Sequence, residues 1–142
     1  MRDEYGCRIA AHEVDAVYLE SGDDRVTDAA RQGATLEPFS VDVKLQGKES
    51  SLAVGDGIVT AIHWPGHTPG SVVYTTVLED RLVLFGQDLQ GPLHSDWLSD
   101  EKQYLESLAE LLNLRADLVL ERHFGIIASK KEDREFIQSC IT

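Results

Sequence analysis

Cysteine is scarce in this sequence: Cys7 and Cys140 are the only two in 142 residues. Two cysteines do not make a disulfide framework, and they are expected as ordinary thiols in a reducing compartment. Long apolar runs are also missing. No stretch reaches the ~18 residues a membrane span needs, and Met1-Arg2-Asp3-Glu4-Tyr5 is charged from the start, without the apolar core of a signal peptide. Basic residues are few, 13 Lys and Arg against 25 Asp and Glu, which leaves a net charge of −12. A surface of that sign repels phosphate backbones and anionic lipids, so neither nucleic acid nor a membrane surface is an expected partner. Repeats, low-complexity tracts and Pro/Ser-rich linkers are absent too. What is present, 42% hydrophobic and 27% charged residues, is the composition of one globular domain spanning residues 1–142, with a cytoplasmic location expected.

Period and punctuation predict a mixed order of elements. Short strands are expected at Cys7 to Ala11 and around Val41, Val43 and Leu45, with helical spacing over His12 to Glu20 and a helical turn or two over Arg25 to Gln32. Hairpins are expected from Leu52 to His63 and from Ser71 to Phe85, where strand-like runs flank turn residues. Ser99 to Leu114 is the strongest helix. Asp100 can cap it, Gln103 stands three residues on, and Tyr104, Leu105, Leu108, Leu111 and Leu112 form its apolar stripe. A strand over Asp117 to Glu121 and a terminal helix over Lys131 to Cys140 complete an α/β or α+β pattern. Tyr74 and Phe85 are expected in the core.

Three groups able to bind a metal follow strands. His67 lies in Trp64-Pro65-Gly66-His67-Thr68-Pro69-Gly70-Ser71, where two prolines and two glycines leave the backbone little freedom. A metal ligand needs such pre-organisation, because ordering a loose site costs conformational entropy. Asp88 stands 21 residues further on, after an apolar run and Gly86; His123 follows the apolar run Leu118-Val119-Leu120. Two imidazoles and a carboxylate suit Zn²⁺, Fe²⁺ or Mn²⁺. The other histidines have plainer readings. His63 is a strand residue facing core or solvent, or a supporting or substitute ligand. His12 is a surface or helix-start residue. His94 is a solvated loop residue or a substrate contact. In the same loop, Asp96 and Trp97 could line a pocket or anchor the loop to the core.

The run from Ile62 to Ser71 resembles the PGHTPGS motif of the metallo-β-lactamase-fold hydrolases. Leu82 to Asp88 resembles that superfamily's strand ending in Asp, and Leu118 to Gly125 its strand ending in His. The resemblance runs from about Gly6 to the C-terminus. It implies that His67 is a ligand of a first metal, that Asp88 is a catalytic carboxylate bridging two metals, that His123 is a ligand of a second, and that Thr68 to Ser71 support the His67 loop. The chemistry implied is metal-dependent hydrolysis of a small-molecule substrate: a thioester, lactam, lactone or phosphodiester. His94 is the expected substrate contact.

Two departures from that pattern shape the expectations. The superfamily's HxHxDH motif is absent, so this sequence is expected to correspond to the C-terminal half of the αββα sandwich, a partial sandwich with an uncovered sheet face. Such a face favours a homo-oligomer. With two ligands left per ion, metal is expected to bind weakly, as one ion or none. Arg122 stands where the superfamily has glycine before the histidine, and would strain the turn if that position needed a positive φ. Metal-dependent hydrolase is the first functional reading. The alternative is a catalytically inactive domain acting as a binding or assembly module.

Overall fold

Alternating apolar residues and tight turns build the main sheet. In this computed structural model residues 2–127 and 130–141 are described. A short α1 (Arg2–Tyr5) precedes β1 (Ala10–His12) and α2 (Glu13–Ser21), and an irregular segment with a 3-10 turn at Ala30–Gln32 leads to β2 (Val43–Leu45). Then come β3 (Glu49–Val54), β4 (Gly57–His63), β5 (Val72–Leu78) and β6 (Arg81–Gly86), followed by α3 (Glu101–Leu114), β7 (Leu118–Glu121), β8 (Gly125–Ile127) and α4 (Lys130–Ile141). The class is α+β.

Strands β3 to β8 lie in chain order in one six-stranded sheet, antiparallel except where α3 carries the chain across and β7 pairs parallel to β6. The β5–β6 hairpin closes on Glu79 and Asp80, both left-handed at φ 50° and 59°. That pair of conformations matches the twist of a two-residue hairpin. Asp117 pins the start of β7 to β6: its carboxylate accepts the Leu82 N–H at 2.8 Å, and its own N–H donates to the Leu82 carbonyl at 2.8 Å.

One face of this sheet carries Ile62, Val73, Leu84 and Val119, which pack against Tyr104, Leu108 and Leu111 of α3 and Ile137 of α4. Asp100 caps α3 as expected, accepting the Gln103 N–H at 2.9 Å. Those backbone and side-chain hydrogen bonds from Gln103 hold the Asp100 carboxyl below its ordinary pKa. The opposite face meets a two-stranded parallel sheet, β1 with β2, through Leu45, Ala61 and Val72. Cross-strand partners share a face. Tyr74, Phe85, Leu120 and Ile126 therefore form one apolar row across four strands on this side.

Several expectations need adjusting. The Arg25 to Gln32 helix shrinks to the 3-10 turn ended by left-handed Gly33. Strand β8 is an addition to the expected elements. Phe85 is 39% exposed, not core, because its neighbour Leu84 takes the α3 side and alternation turns Phe85 away. His12 is buried, although it does start α2 as its N-cap, with Nδ1 accepting the Val14 N–H. Its ring stacks on His63 at 3.8 Å between centroids. Both cysteines are free thiols, Cys7 exposed and Cys140 half-buried. No helix among the described residues is long and apolar enough to cross a membrane.

Candidate functional site

The loop between β4 and β5 carries His67, and nearly every backbone group in it is tied down. The Trp64 N–H donates to the Ser71 carbonyl at 2.8 Å, and the Gly66 N–H to the Thr68 carbonyl at 3.0 Å. From the α3 side, Ser99 Oγ donates to the His67 carbonyl at 2.6 Å, the Asp100 N–H to the Gly66 carbonyl at 2.9 Å and Ser107 Oγ to the Pro65 carbonyl at 2.8 Å. Gly66 sits at φ 133°, and a Cβ there would lie 2.3 Å from the Tyr104 backbone, so only glycine lets the loop lie this close to α3. From the other side, Asp15 of α2 accepts the Thr68 hydroxyl at 2.5 Å and the Gly70 N–H at 2.7 Å.

His67 itself is buried. Its Nε2 lies 3.5 Å from Asp88 Oδ2, and its ring packs 5.2 Å from that of Trp97. Burial pushes its pKa below the ordinary histidine range, with the Asp88 charge and the Pro92 carbonyl offsetting only part of the shift. The ring is therefore neutral at pH 7. Its Nδ1 is buried without a partner at hydrogen-bonding geometry.

Asp88 follows β6 in a left-handed conformation, φ 50°. Left-handed backbone is costly for a residue with a Cβ, and aspartate is among the few that tolerate it. The carboxylate is buried and central. His123 Nε2 lies 2.8 Å from its Oδ1, and the Arg122 guanidinium lies 3.8 Å from its Oδ2. His123 and Phe124 both donate backbone N–H groups to Glu121 Oε2, at 2.6 and 2.9 Å. That carboxylate turns the chain after β7 so that His123 faces Asp88. Arg122 is not among the described residues with positive φ, so it imposes no strain on this turn. Its charge enters the site instead.

His67, Asp88, Arg122 and His123 line one open cavity of about 760 Å³ with Asp15, Tyr74, Trp97 and Arg31 in its walls. Arg31 stacks its guanidinium 5.3 Å over Trp97, whose Nε1 donates to Asp28 at 2.9 Å. Hydrogen bonds from Gln32 and Trp97 hold the Asp28 carboxyl below its usual range. His94 does not line the cavity. Its Nδ1 accepts the Asp96 N–H at 3.1 Å, and its ring packs on Trp97 at 5.4 Å. It caps the 3-10 turn Ser95–Trp97 that presents the tryptophan. Tyr74, expected in the core, is half-buried in the cavity wall, and burial raises its pKa.

In chemistry this donor set fits a borderline metal ion: two imidazoles, of which His67 is neutral, around one carboxylate. Two ligands on one tetrahedral zinc stand about 3.4 Å apart, from bond lengths near 2.1 Å. The His67–Asp88 separation has that size, whereas His123 and Asp88 are in direct hydrogen-bond contact. Among the described residues no group of three His, Cys, Asp or Glu side chains is arranged to hold a metal ion.

No protein-family model and no curated protein sequence matches the chain. Solved structures do. The chain is similar to the B3 metallo-β-lactamase BLEG-1 at 26% identity and a TM-score of 0.75, over 95% of this chain and 65% of that one. It is similar to BJP-1, a subclass B3 metallo-β-lactamase of Bradyrhizobium japonicum, at 21% and 0.73, over 98% and 62%. It is similar to the class B3 di-zinc metallo-β-lactamase LRA-12 from an Alaskan soil metagenome at 20% and 0.73, over 99% and 61%. The chain has the metallo-β-lactamase-type fold, and it spans less than two thirds of the length of these structures.

Proposed function

We propose, on the premise of that fold, that the protein is a metal-dependent hydrolase of the metallo-β-lactamase superfamily, acting on a small-molecule substrate in the cavity around Asp88. The observation that carries this reading is the convergence of His67, Asp88 and His123 from three separate chain segments onto one carboxylate. His67 through Nε2, Asp88 through either oxygen and His123 through Nε2 would hold the ion, with zinc preferred and iron or manganese as the other candidates. A bound ion supplies Lewis acidity and makes water a nucleophile at neutral pH.

The chain's own residues contribute the rest. The buried, neutral His67 ring offers a lone pair without first losing a proton. Asp88, held by its strained backbone with His67, His123 and the Arg122 guanidinium around its carboxylate, supplies the negative charge that attracts a cation into the cavity. Trp97 walls off one side of His67 from water, and a drier site strengthens every charge interaction within it. Arg122, at the cavity rim, is placed to orient an anionic group of the substrate. Hydrolysis of a chromogenic β-lactam, a thioester and a phosphodiester, each with added zinc and with zinc withheld, tests the reading. Zinc-dependent turnover of one of them supports it, and turnover unaffected by metal contradicts it.

A second reading, a binding or assembly module, draws on the apolar row. Phe85 is 39% exposed and Ile126 71%, on the sheet face that β1 and β2 cover only at its Ala61 end. In this reading the domain is catalytically inactive, and a further copy of the chain covers the row.

A further inference from the structure

We infer that Asp15 is a positioning residue for His67, acting through the hydroxyl of Thr68 and the N–H of Gly70. The inference rests on the metal-site reading above but is carried by different atoms. Asp15 lies in the first turn of α2, 52 residues before His67, and its two carboxylate oxygens each take one donor from the His67 loop: Oδ1 the Gly70 N–H at 2.7 Å and Oδ2 the Thr68 hydroxyl at 2.5 Å.

The hydrogens in this cluster have only one consistent arrangement. A carboxylate can only accept, so the Thr68 hydroxyl must donate to Asp15. The Thr68 and Ser71 hydroxyl oxygens are 2.7 Å apart, so Ser71 donates to Thr68. Ser71 Oγ in turn accepts the Thr68 N–H at 2.9 Å. The result is a directed chain that runs from the backbone N–H next to His67, through the Ser71 and Thr68 hydroxyls, to the Asp15 carboxylate. Its counterpart is the Ser99 bond to the His67 carbonyl. The loop is thus gripped from α2 on one flank and from the α3 side on the other.

Space confirms that the grip is specific. A Cβ on Gly70 would lie 2.5 Å from Asp15 Cγ, so only glycine at 70 admits the carboxylate. Removing Asp15 would leave the Thr68 hydroxyl and the Gly70 N–H without acceptors in a part-buried loop. The His67 ring would then no longer be held in one orientation toward Asp88. Partners that orient a ligand in this way are commonly worth about 10- to 100-fold in metal affinity.

Asparagine separates hydrogen bonding from charge. Its Oδ1 can still accept from Gly70, while its NH₂ donates to Thr68 Oγ1 and reverses the chain. The test uses the whole chain and its Asp15→Ala, Asp15→Asn and Thr68→Val variants. It reads zinc affinity by competition with a chromophoric chelator, and the His67 ring carbon–proton NMR signal with no metal present. Asp15→Ala is expected to weaken zinc binding about tenfold or more and to broaden or split the ring signal, with Thr68→Val in between. Asp15→Asn is expected to stay within about threefold of wild type with one sharp signal. Wild-type affinity and a single sharp signal in Asp15→Ala overturn the inference, and so does an Asp15→Asn variant as impaired as Asp15→Ala. If Asp15→Ala does not fold, Thr68→Val decides: an unchanged ring signal and affinity overturn it. If wild type takes up no zinc, the metal-site reading fails, and the metal-free ring signal alone decides the role of Asp15.

Discussion

His123 meets Asp88 edge-on, its Nε2 2.8 Å from Oδ1, and the backbone that presents this carboxylate is left-handed at φ 50°. The two facts belong together. The chain leaves β6 at Gly86, where a Cβ would lie 2.6 Å from Leu89, and the turn that follows places the Asp88 carboxylate against His123 and His67. A relaxed backbone would leave the carboxylate elsewhere.

Strain at Asp88 is measurable. Asp88→Gly frees the backbone and Asp88→Ala keeps the misfit, so the glycine variant is expected to be about 1 kcal/mol more stable than the alanine variant by urea unfolding. Equal stabilities would mean that the left-handed turn stores nothing.

Gly66→Ala is expected to be among the most damaging substitutions in the chain. The new Cβ would fall 2.3 Å from the Tyr104 backbone at a φ of 133°, and α3 cannot yield without uncovering Leu108 and Leu111. A loss of about 3 kcal/mol or more in unfolding free energy is expected; a loss below about 1 kcal/mol would mean that the loop and α3 are not in register-tight contact.

Acid should weaken the fold before carboxylates begin to titrate. Burial holds both His63 and His67 below the ordinary value of 6.5. For His63, the stacked His12 ring and Lys48 add to the depression, while the Pro69 carbonyl and Asp15 oppose it. The unfolded chain thus takes up protons near pH 6.5 that the folded chain refuses, so stability is full above that pH and falls until pH drops below the folded values. Chemical denaturation at pH 7.5, 6.5 and 5.5 should show that decline, shallower in His63→Gln. A flat profile would contradict the burial of these rings as neutral groups.

The apolar row predicts self-association. Light scattering at micromolar concentration is expected to give a dimer or larger species, and Phe85→Glu with Ile126→Glu a monomer. A monomeric wild type would remove the second copy from the account.

The His67 loop was legible because prolines and glycines crowd around it, and Asp88 and His123 because each follows an apolar strand. The Asp100 cap was legible because its partners are three residues apart. What escaped depends on distant contacts. Asp15 grips a loop more than 50 residues away, and no local spacing marks it. Glu121 reads as an ordinary strand end until its carboxylate is seen accepting two N–H groups. Strand β8 has only three residues, too few for a period. Phe85 looks like core in an apolar run, and only its register against Tyr74 and Leu120 shows that it faces the thinly covered side.

Metal content tests the central claim most directly. The wild-type chain and Asp88→Ala, purified without chelator, equilibrated with zinc and desalted, should differ: bound zinc in the wild type and a clear loss in the variant, with circular dichroism showing both folded. Equal zinc in the two proteins would take Asp88 out of the site and contradict the account.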